Sequence, residues 1–361
     1  MGVSNRPRVA VAMSGGVDSS VVAALLVEQG YEVRGVTAHL WSEPGQDTFN
    51  RCCAPDAVAL AQRVAAQLGI PFDIIDEQQP FYEKVVLPFI DGYAQGITPN
   101  PCLNCNRNIR FGLLLDYVRE LGADYMATGH YVRLMRDEKG RQQMLTAVDE
   151  HKDQSYVLSV LAQEQLEYTL FPLGGYKKPE VRALATKYGL PVAERADSQD
   201  LCFLGGGDYR DFLQRHVPLM QNPGPIMTMD GRVIGQHNGL AFYTIGQRKG
   251  LNITATHPYY VLDKDIMRNV LIVGQHNELG KRQLTACQVN WIAGEAPVGA
   301  QQAQVKIRYN APKIWATVTP LDGGRVHVQF ENPLRDITPG QAAVFYGGEV
   351  CLGSGIIESA Q

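Results

Sequence analysis

The stretch Arg8-Val-Ala-Val-Ala-Met13-Ser14-Gly15-Gly16-Val17-Asp18-Ser19 decides how this chain is read. It begins as a short apolar strand, Arg8 to Met13, and stops at a glycine pair. From Ser19 to Gln29 the residues read as a helix closed by Gly30. A strand that ends on two glycines and opens a helix makes an anion site, because backbone N–H groups point into the turn and the helix dipole favours negative charge. Glycine lets phosphates approach the main chain, and Ser14 and Ser19 add hydroxyl donors. No Lys-Ser/Thr pair follows, so this is not a Walker A loop. The spaced glycine triad of dinucleotide folds is absent as well.

Outward from the loop, strands and helices alternate. Glu32 to Leu40 and Phe72 to Asp76 read as strands, and Asp56 to Leu68 reads as a helix with apolar Val58, Ala61, Val64, Ala65 and Leu68. Phe111 to Leu121 is a predicted helix, Tyr125 to Thr128 a strand, and Pro179 to Tyr188 a helix stopped by Gly189 and Pro191. Such alternation predicts an α/β fold, a parallel sheet with helices on both faces. After about Cys202 the character changes. Gly205 to Gly207 reads as a hinge, and from Pro223 short β-rich runs alternate with turns such as Asn238-Gly239 and Asp322-Gly323. Val305 to Tyr309, Trp315 to Thr319 and Arg325 to Phe330 are predicted strands. The expected organisation is an α/β domain over 1–204, a small β-rich middle domain over 205–278 and a C-terminal β-barrel over 279–361.

The totals bound the function. A chain of 361 residues is too long for one ordinary core. No apolar run nears the roughly 18 residues of a membrane span, and Met1 to Arg8 holds no signal core, so a cytoplasmic protein is expected. A net charge of −4 argues against a uniformly basic nucleic-acid binder, though a local basic face is enough to hold phosphates. Seven cysteines, an odd count in a long chain, argue against a disulfide scaffold and leave thiol or metal chemistry open. Cys52 and Cys53 precede a helix start and read as structural, and Cys287 and Cys351 as core.

The string Ser14 to Ser19 resembles the signature of PP-loop enzymes, which cleave ATP between the α and β phosphates and transfer AMP to an oxygen. That resemblance implies ATP as the nucleotide and Asp18 as a Mg²⁺-associated carboxylate. Further motifs separate thiolases from amidating synthetases. Thr98-Pro-Asn-Pro-Cys102-Leu-Asn-Cys105-Asn-Arg107 holds a C-x-x-C ahead of a predicted helix, and Ser198-Gln-Asp-Leu-Cys202-Phe203 holds a third cysteine. Ala127-Thr-Gly-His-Tyr131 and Lys152-Asp-Gln-Ser-Tyr156 lie between them. Phe242-Tyr-Thr-Ile-Gly-Gln-Arg-Lys-Gly250, Lys306-Ile-Arg-Tyr309 and Pro339-Gly-Gln341 follow. In order and over nearly the whole chain, these resemble the bacterial and organellar tRNA-specific 2-thiouridylases.

The resemblance implies a two-step reaction. ATP adenylates the 2-oxygen of the wobble uridine of tRNA, and sulfur then displaces AMP. Cys202 matches the cysteine that carries a persulfide, and Cys105 the nucleophile that frees its sulfur, with a transient disulfide between them. Ala12, Met13, Ser14, Gly15, Gly16, Val17, Asp18, Ser19, Ala38 and Gly129 match ATP-contacting positions. Asn100, Pro101 and Cys102 match the stretch facing the target base. His130, Lys152, Asp153, Gln154, Arg308, Tyr309 and Gln341 match tRNA-contacting positions. The implied partners are tRNA rather than DNA, and a persulfide donor, either a cysteine desulfurase or a sulfur-relay carrier. No membrane partner is expected.

The sequence departs from the family at Cys102, where many members have Asp. Two readings stay open. In one, Cys102 is a spare thiol beside the persulfide pair. In the other, Cys102, Cys105 and Cys202 hold a 4Fe–4S cluster through three ligands. A zinc clip would need a second C-x-x-C or a His pair, and neither is near. Arg107 and Arg110 are expected to favour the Cys105 thiolate. Arg133, Arg136, Lys139 and Arg141 are expected to form a basic rim around Lys152, with Arg248-Lys249 and Lys281-Arg282 adding charge. Trp315 and Tyr309, as strand aromatics, read as core unless they stack on bases. The rival functions are an amidating PP-loop synthetase, which needs neither Cys105 nor Cys202, and a non-catalytic tRNA-binding protein.

Overall fold

A computed structural model describes residues 6–43, 55–197, 201–204, 207–217 and 220–361. Cys52, Cys53, the Ser198–Asp200 part of the third-cysteine motif and Gly205–Gly206 of the expected hinge lie outside the described residues. In chain order the first strands are β1 (Arg8–Ala12), β2 (Glu32–His39), β3 (Phe72–Asp76), β4 (Tyr125–Ala127), β5 (Val132–Arg136), β6 (Gln142–Thr146) and β7 (Thr169–Leu170). Five of them form a parallel sheet in the order β3-β2-β1-β4-β7. β1 is its centre, and its side chains alternate. Val9 and Val11 pack under the helix Val17–Glu28, while Ala10 faces the opposite core with Leu114, Leu115 and Val118. A run buried on both faces is what a central parallel strand requires. The strand order turns back between β1 and β4, which places a crevice at their carboxyl ends.

The middle of the chain adds β8 (Gly224–Thr228), β9 (Val233–His237), β10 (Tyr260–Asp265) and β11 (Val270–Gly274). These form a separate sheet in the order β10-β11-β8-β9. The last strands are β12 (Lys281–Trp291), β13 (Gln301–Lys306), β14 (Ile314–Leu321), β15 (Arg325–Leu334), β16 (Ala342–Gly347) and β17 (Val350–Ala360). They run β12-β15-β14-β13-β16-β17, and β12 also pairs with β17, so the sheet closes on itself as a barrel. Closure removes the open edges. Inward Val305, Ala316, Val318, Val326, Val328 and Phe345 fill the interior.

Four findings differ from the sequence reading. First, β5 and β6 form a hairpin absent from that reading, and it joins the barrel rather than the parallel sheet, with Met144 opposite Cys351 and Leu145 opposite Val350. The barrel's sheet therefore reaches into the first 204 residues of the chain. Second, the helix expected from Phe111 begins at Pro101. Asn100 caps it by accepting the Cys102 N–H at 3.1 Å, and Pro101 takes the first position, where no N–H is needed. Cys105 to Leu113 is π-wound and continues into Leu114–Glu120, so Cys105 sits within the helix and not ahead of it. Third, β13 ends at Lys306, short of the predicted Tyr309, which leaves Tyr309 36% exposed beyond the strand. Fourth, Trp315 is 55% exposed on the barrel's outer face and not in its core. Of the cysteines read as core, Cys351 is buried and Cys287 is half-buried.

No helix among the described residues is long and apolar enough to cross a membrane.

Candidate active site

The phosphate loop is held open by its own backbone. Gly15 has φ +67°, and a Cβ there would stand 2.1 Å from the Ala57 carbonyl oxygen. Only glycine fits that approach. Gly16 is the N-cap of the helix Val17–Glu28, and it has no side chain to take the first N–H groups. Those donors are left for an anion. Ser19 Oγ accepts the Ser14 N–H at 3.1 Å, and Thr37 Oγ1 donates to the Met13 carbonyl at 2.6 Å, tying the loop to β2. Gly129 brings the end of β4 against the helix start, where a Cβ would lie 2.9 Å from Ser19 N.

A cavity of about 520 Å³ opens at this end of the sheet. Of the predicted nucleotide residues, Ala12, Met13, Ser14, Gly16, Val17, Asp18, Ser19, Ala38 and Gly129 line it. Gly15 lies behind the wall, and its carbonyl accepts Arg195 Nη1 at 2.8 Å. Val36, Leu40, Ile109 and Leu114 form an apolar side. His130, Lys152, Gln154 and Tyr309 also line the cavity, so the barrel contributes a side chain to a site centred on the parallel sheet.

Charge at the cavity wall and behind it is arranged as a chain of ion pairs that the sequence reading missed. Lys178 Nζ lies 2.7 and 2.8 Å from the two Asp18 oxygens and 3.0 Å from Asp197 Oδ1. Asp197 also takes Lys152 at 2.7 Å and Arg182 at 2.8 Å. The Tyr131 hydroxyl donates to Asp18 at 2.6 Å, and burial together with the Asp18 charge pushes that phenol far above its usual range. Burial would raise the Asp197 pKa, but Lys152 and Lys178 outweigh it and hold the carboxyl at about 2. One signal for Lys178 was available. A lysine in the first turn of a helix opposes the helix dipole, so another charge must compensate it.

The remaining predicted residues separate into three groups. His130 is 7% exposed, its Nδ1 is 2.8 Å from Thr128 Oγ1, and burial, with Arg110 nearby, lowers its pKa to about 3. It is a neutral ring and not a cation for phosphate. Asp153 is buried, and its carboxylate accepts the Ala147 and Ser155 N–H groups and the Ser155 hydroxyl. Gln154 faces the cavity while its side-chain Oε1 accepts the Tyr131 N–H at 2.9 Å.

A second group, outside the cavity, joins the parts of the chain. Gln341 donates to the Thr98 carbonyl at 2.8 Å, beside Asn100 and Pro101. Arg308 donates to the Ile245 carbonyl at 2.9 Å and to the Thr338 hydroxyl, and its buried Nε has no partner among the described residues. Burial lowers the Arg308 pKa. The expected basic rim is also largely neutralised: Arg133 pairs with Glu349, Arg136 with Glu167, and Arg141 with Asp137 and Glu295.

The third group is the thiols. Cys105 is 8% exposed in an apolar cluster with Ile109, Phe203 and Leu213, and Cys202 packs against the same cluster. Cys102, half-buried, is close enough to Tyr309 for its charge to bear on that phenol. Among the described residues, which include all three thiols, no three His, Cys, Asp or Glu side chains gather as a metal-ligand group. Cys102, Cys105 and Cys202 do not gather as such a group. Asp18 offers a carboxylate in the loop itself, and Asp197 lines the same cavity. That suits Mg²⁺ carried in on nucleotide phosphates, which keeps most of its ligands as water and phosphate. Lys178 holds both Asp18 oxygens in this structure.

Three family models cover the chain in succession: a tRNA methyl transferase HUP domain over residues 7–206, a tRNA methyl transferase PRC-barrel domain over 210–275, and an aminomethyltransferase beta-barrel domain over 281–357. The tRNA-specific 2-thiouridylase MnmA of Moorella thermoacetica is 51% identical over 353 residues, which is 97% of this chain and 99% of that protein. The protein of the same name from Symbiobacterium thermophilum is 48% identical, over 98% of this chain and 92% of its own length. Among solved structures, the U34-tRNA thiolase NcsA of Methanococcus maripaludis aligns with 60% of this chain and 69% of its own at 19% identity and a TM-score of 0.34, too distant to carry an argument. At half-identity over almost their whole lengths, the relatives place this chain in the tRNA-specific 2-thiouridylase family.

Proposed function

We propose that the protein is an ATP-dependent tRNA-uridine 2-sulfurtransferase acting on the wobble uridine in the cytoplasm. One observation carries the reading: a glycine loop built for a polyphosphate shares its cavity with residues from the barrel, and the helix that walls this cavity also carries Cys105. Ile109 lines the cavity one turn after Cys105, so thiol chemistry lies one helical turn from the nucleotide site.

In the first step the uridine 2-oxygen attacks the α-phosphorus of ATP and pyrophosphate leaves along the loop. The N–H groups at Gly16 and the helix start stabilise the charge that gathers on the departing phosphates. Lys178, fixed between Asp18 and Asp197, supplies a buried positive charge beside them. Mg²⁺ bound with ATP would add charge neutralisation, with Asp18 as the protein carboxylate nearest to it. In the second step Cys105 attacks Sγ of a persulfide on Cys202. The Cys105–Cys202 disulfide forms, and the outer sulfur leaves as hydrosulfide. Hydrosulfide adds at C2 of the adenylated base and AMP departs with the former 2-oxygen. A persulfide donor, a cysteine desulfurase or a relay carrier, would reload Cys202. The unstacked base would enter between the loop and Tyr309, as enzymes acting on single bases require. Asn100, Pro101 and Cys102 border this path in the reading, and Arg308 and Gln341 act on tRNA by holding the barrel in place.

The family models carry methyltransferase names, but methyl transfer would leave both the phosphate loop and the cysteine pair without a use. An amidating synthetase would use the loop alone. The test is isotopic. Transfer RNA with ¹⁸O at the uridine 2-position should deliver that ¹⁸O to the phosphate of AMP, and an AMP free of label would refute adenylation of that oxygen.

A further inference from the structure

The Cys105–Cys202 disulfide of the proposed sulfur step has to be reopened before Cys202 can be loaded again. Cys105 is 8% exposed among Ile109, Phe203 and Leu213, so its half of that bond is shielded from a soluble reductant. Cys102 differs in both respects. It is half-buried, as Cys202 is, and it stands outside the apolar cluster that holds Cys105. It also sits one turn before Cys105 on the same helix, in the first turn, which Asn100 caps. Residues three apart on a helix have Cβ atoms roughly 5–6 Å apart. A disulfide needs about 3.5–4.5 Å, with Cα atoms about 4.4–6.8 Å apart. A small closure of the first helical turn is therefore enough to bridge the pair, and the ring it closes is short and local.

We propose that Cys102 is the resolving thiol of this reaction. It attacks Sγ of Cys105 in the Cys105–Cys202 disulfide and expels Cys202 as the leaving thiolate, so that the disulfide passes to Cys102–Cys105. One S–S bond breaks and one forms. The proton lost from Cys102 is matched by the one Cys202 takes up, and no net oxidation occurs in the exchange. A dithiol reductant from solution then reduces the Cys102–Cys105 bond, gaining its own disulfide and returning two thiols. The oxidised bond thus passes to the first turn of the helix capped by Asn100, and Cys202 is released to accept the next sulfur. This inference rests on the persulfide route given above.

The test uses the full chain, loaded with persulfide by inorganic polysulfide. It is allowed one round with tRNA and ATP without reductant, then alkylated and mapped by mass spectrometry of its peptides. The native protein should show a Cys102–Cys105 disulfide. Cys102→Ser should instead hold Cys105–Cys202 and stall after the first round, with turnover restored as dithiothreitol is raised. Accumulation of Cys105–Cys202 in the native protein would overturn the resolving role and leave the sulfur route intact. So would a Cys102→Ser protein that cycles like the native one at low dithiothreitol. Formation of 2-thiouridine with no disulfide in either protein would overturn the persulfide route, and the resolving role with it. The native map stands even if the variant folds poorly.

Discussion

The phosphate loop and the thiol cluster meet at one helix but are built by opposite means. The loop takes its donors from consecutive residues, Ser14 to Ser19, and its environment is polar, with Asp18, Lys178 and Asp197 paired to one another. The thiol cluster draws Cys105 and Cys202 from segments 97 positions apart and surrounds them with Phe203, Leu213 and Ile109. The polar half is suited to stabilising charge as phosphates separate. The apolar half would, in the proposed reaction, limit the access of water to the sulfur on Cys105. Each half should fail separately when changed, and that separation can be measured.

The largest effect is expected in the apolar half. Cys105→Ser or Cys202→Ser should reduce 2-thiouridine formation to background while tRNA-dependent pyrophosphate release from ATP remains detectable. Loss of both signals together would join the two halves into one unit. In the polar half, Lys178→Met leaves Asp18 without its cation, while Asp197 keeps Lys152 and Arg182. Removing one partner of a buried pair costs about 3–5 kcal/mol, and the partial exposure of Asp18 together with the cations left on Asp197 brings the expected loss to roughly 1–2 kcal/mol. Urea denaturation should show it as a lower midpoint at unchanged slope. A stability within error of the native protein would mean the pairs are not what positions Asp18.

Tyr309 probes the place where the barrel enters the cavity. Tyr309→Ala should raise the KM for tRNA by roughly tenfold, given about 1–3 kcal/mol for base stacking on an aromatic ring. Tyr309→Phe should keep nearly all of the affinity. An equal loss in both variants would assign the effect to the hydroxyl. The smallest effect is on pH. The Asp197 carboxyl, at about 2 in the fold against an ordinary 3.8, contributes stability that is complete above the ordinary value and lost as pH falls through the folded one. Asp197→Asn should flatten the acid side of the stability curve between roughly pH 4 and 2. An unchanged slope there would remove the ion-pair account of Asp197.

The same contrast explains what the sequence disclosed. The strand-loop-helix of residues 8–28 was legible because each step is local: apolar alternation, two glycines, then a helix. The parallel sheet followed from the repeats of that unit. The ion-pair chain was not legible, because Lys178 and Asp197 reach Asp18 only through the fold and carry no spacing rule. Hairpin β5–β6 was hidden because its charged residues suggested a surface rim, while their partners, Glu349 and Glu295, are distant in sequence. The helix start at Pro101 was signalled by Asn100-Pro101, but the density of Pro and Asn resembled a loop. Arg308 and Gln341 were read as tRNA-contacting positions, and in the fold their side chains bond across the joint between the barrel and the rest of the chain.

The most direct test is nucleoside mass spectrometry of tRNA incubated with the protein, ATP, Mg²⁺ and a persulfide donor, with AMP and pyrophosphate counted in the same samples. The account predicts one 2-thiouridine for each AMP and each pyrophosphate, all dependent on ATP. Pyrophosphate released without new 2-thiouridine, or a methylated nucleoside in its place, would contradict it.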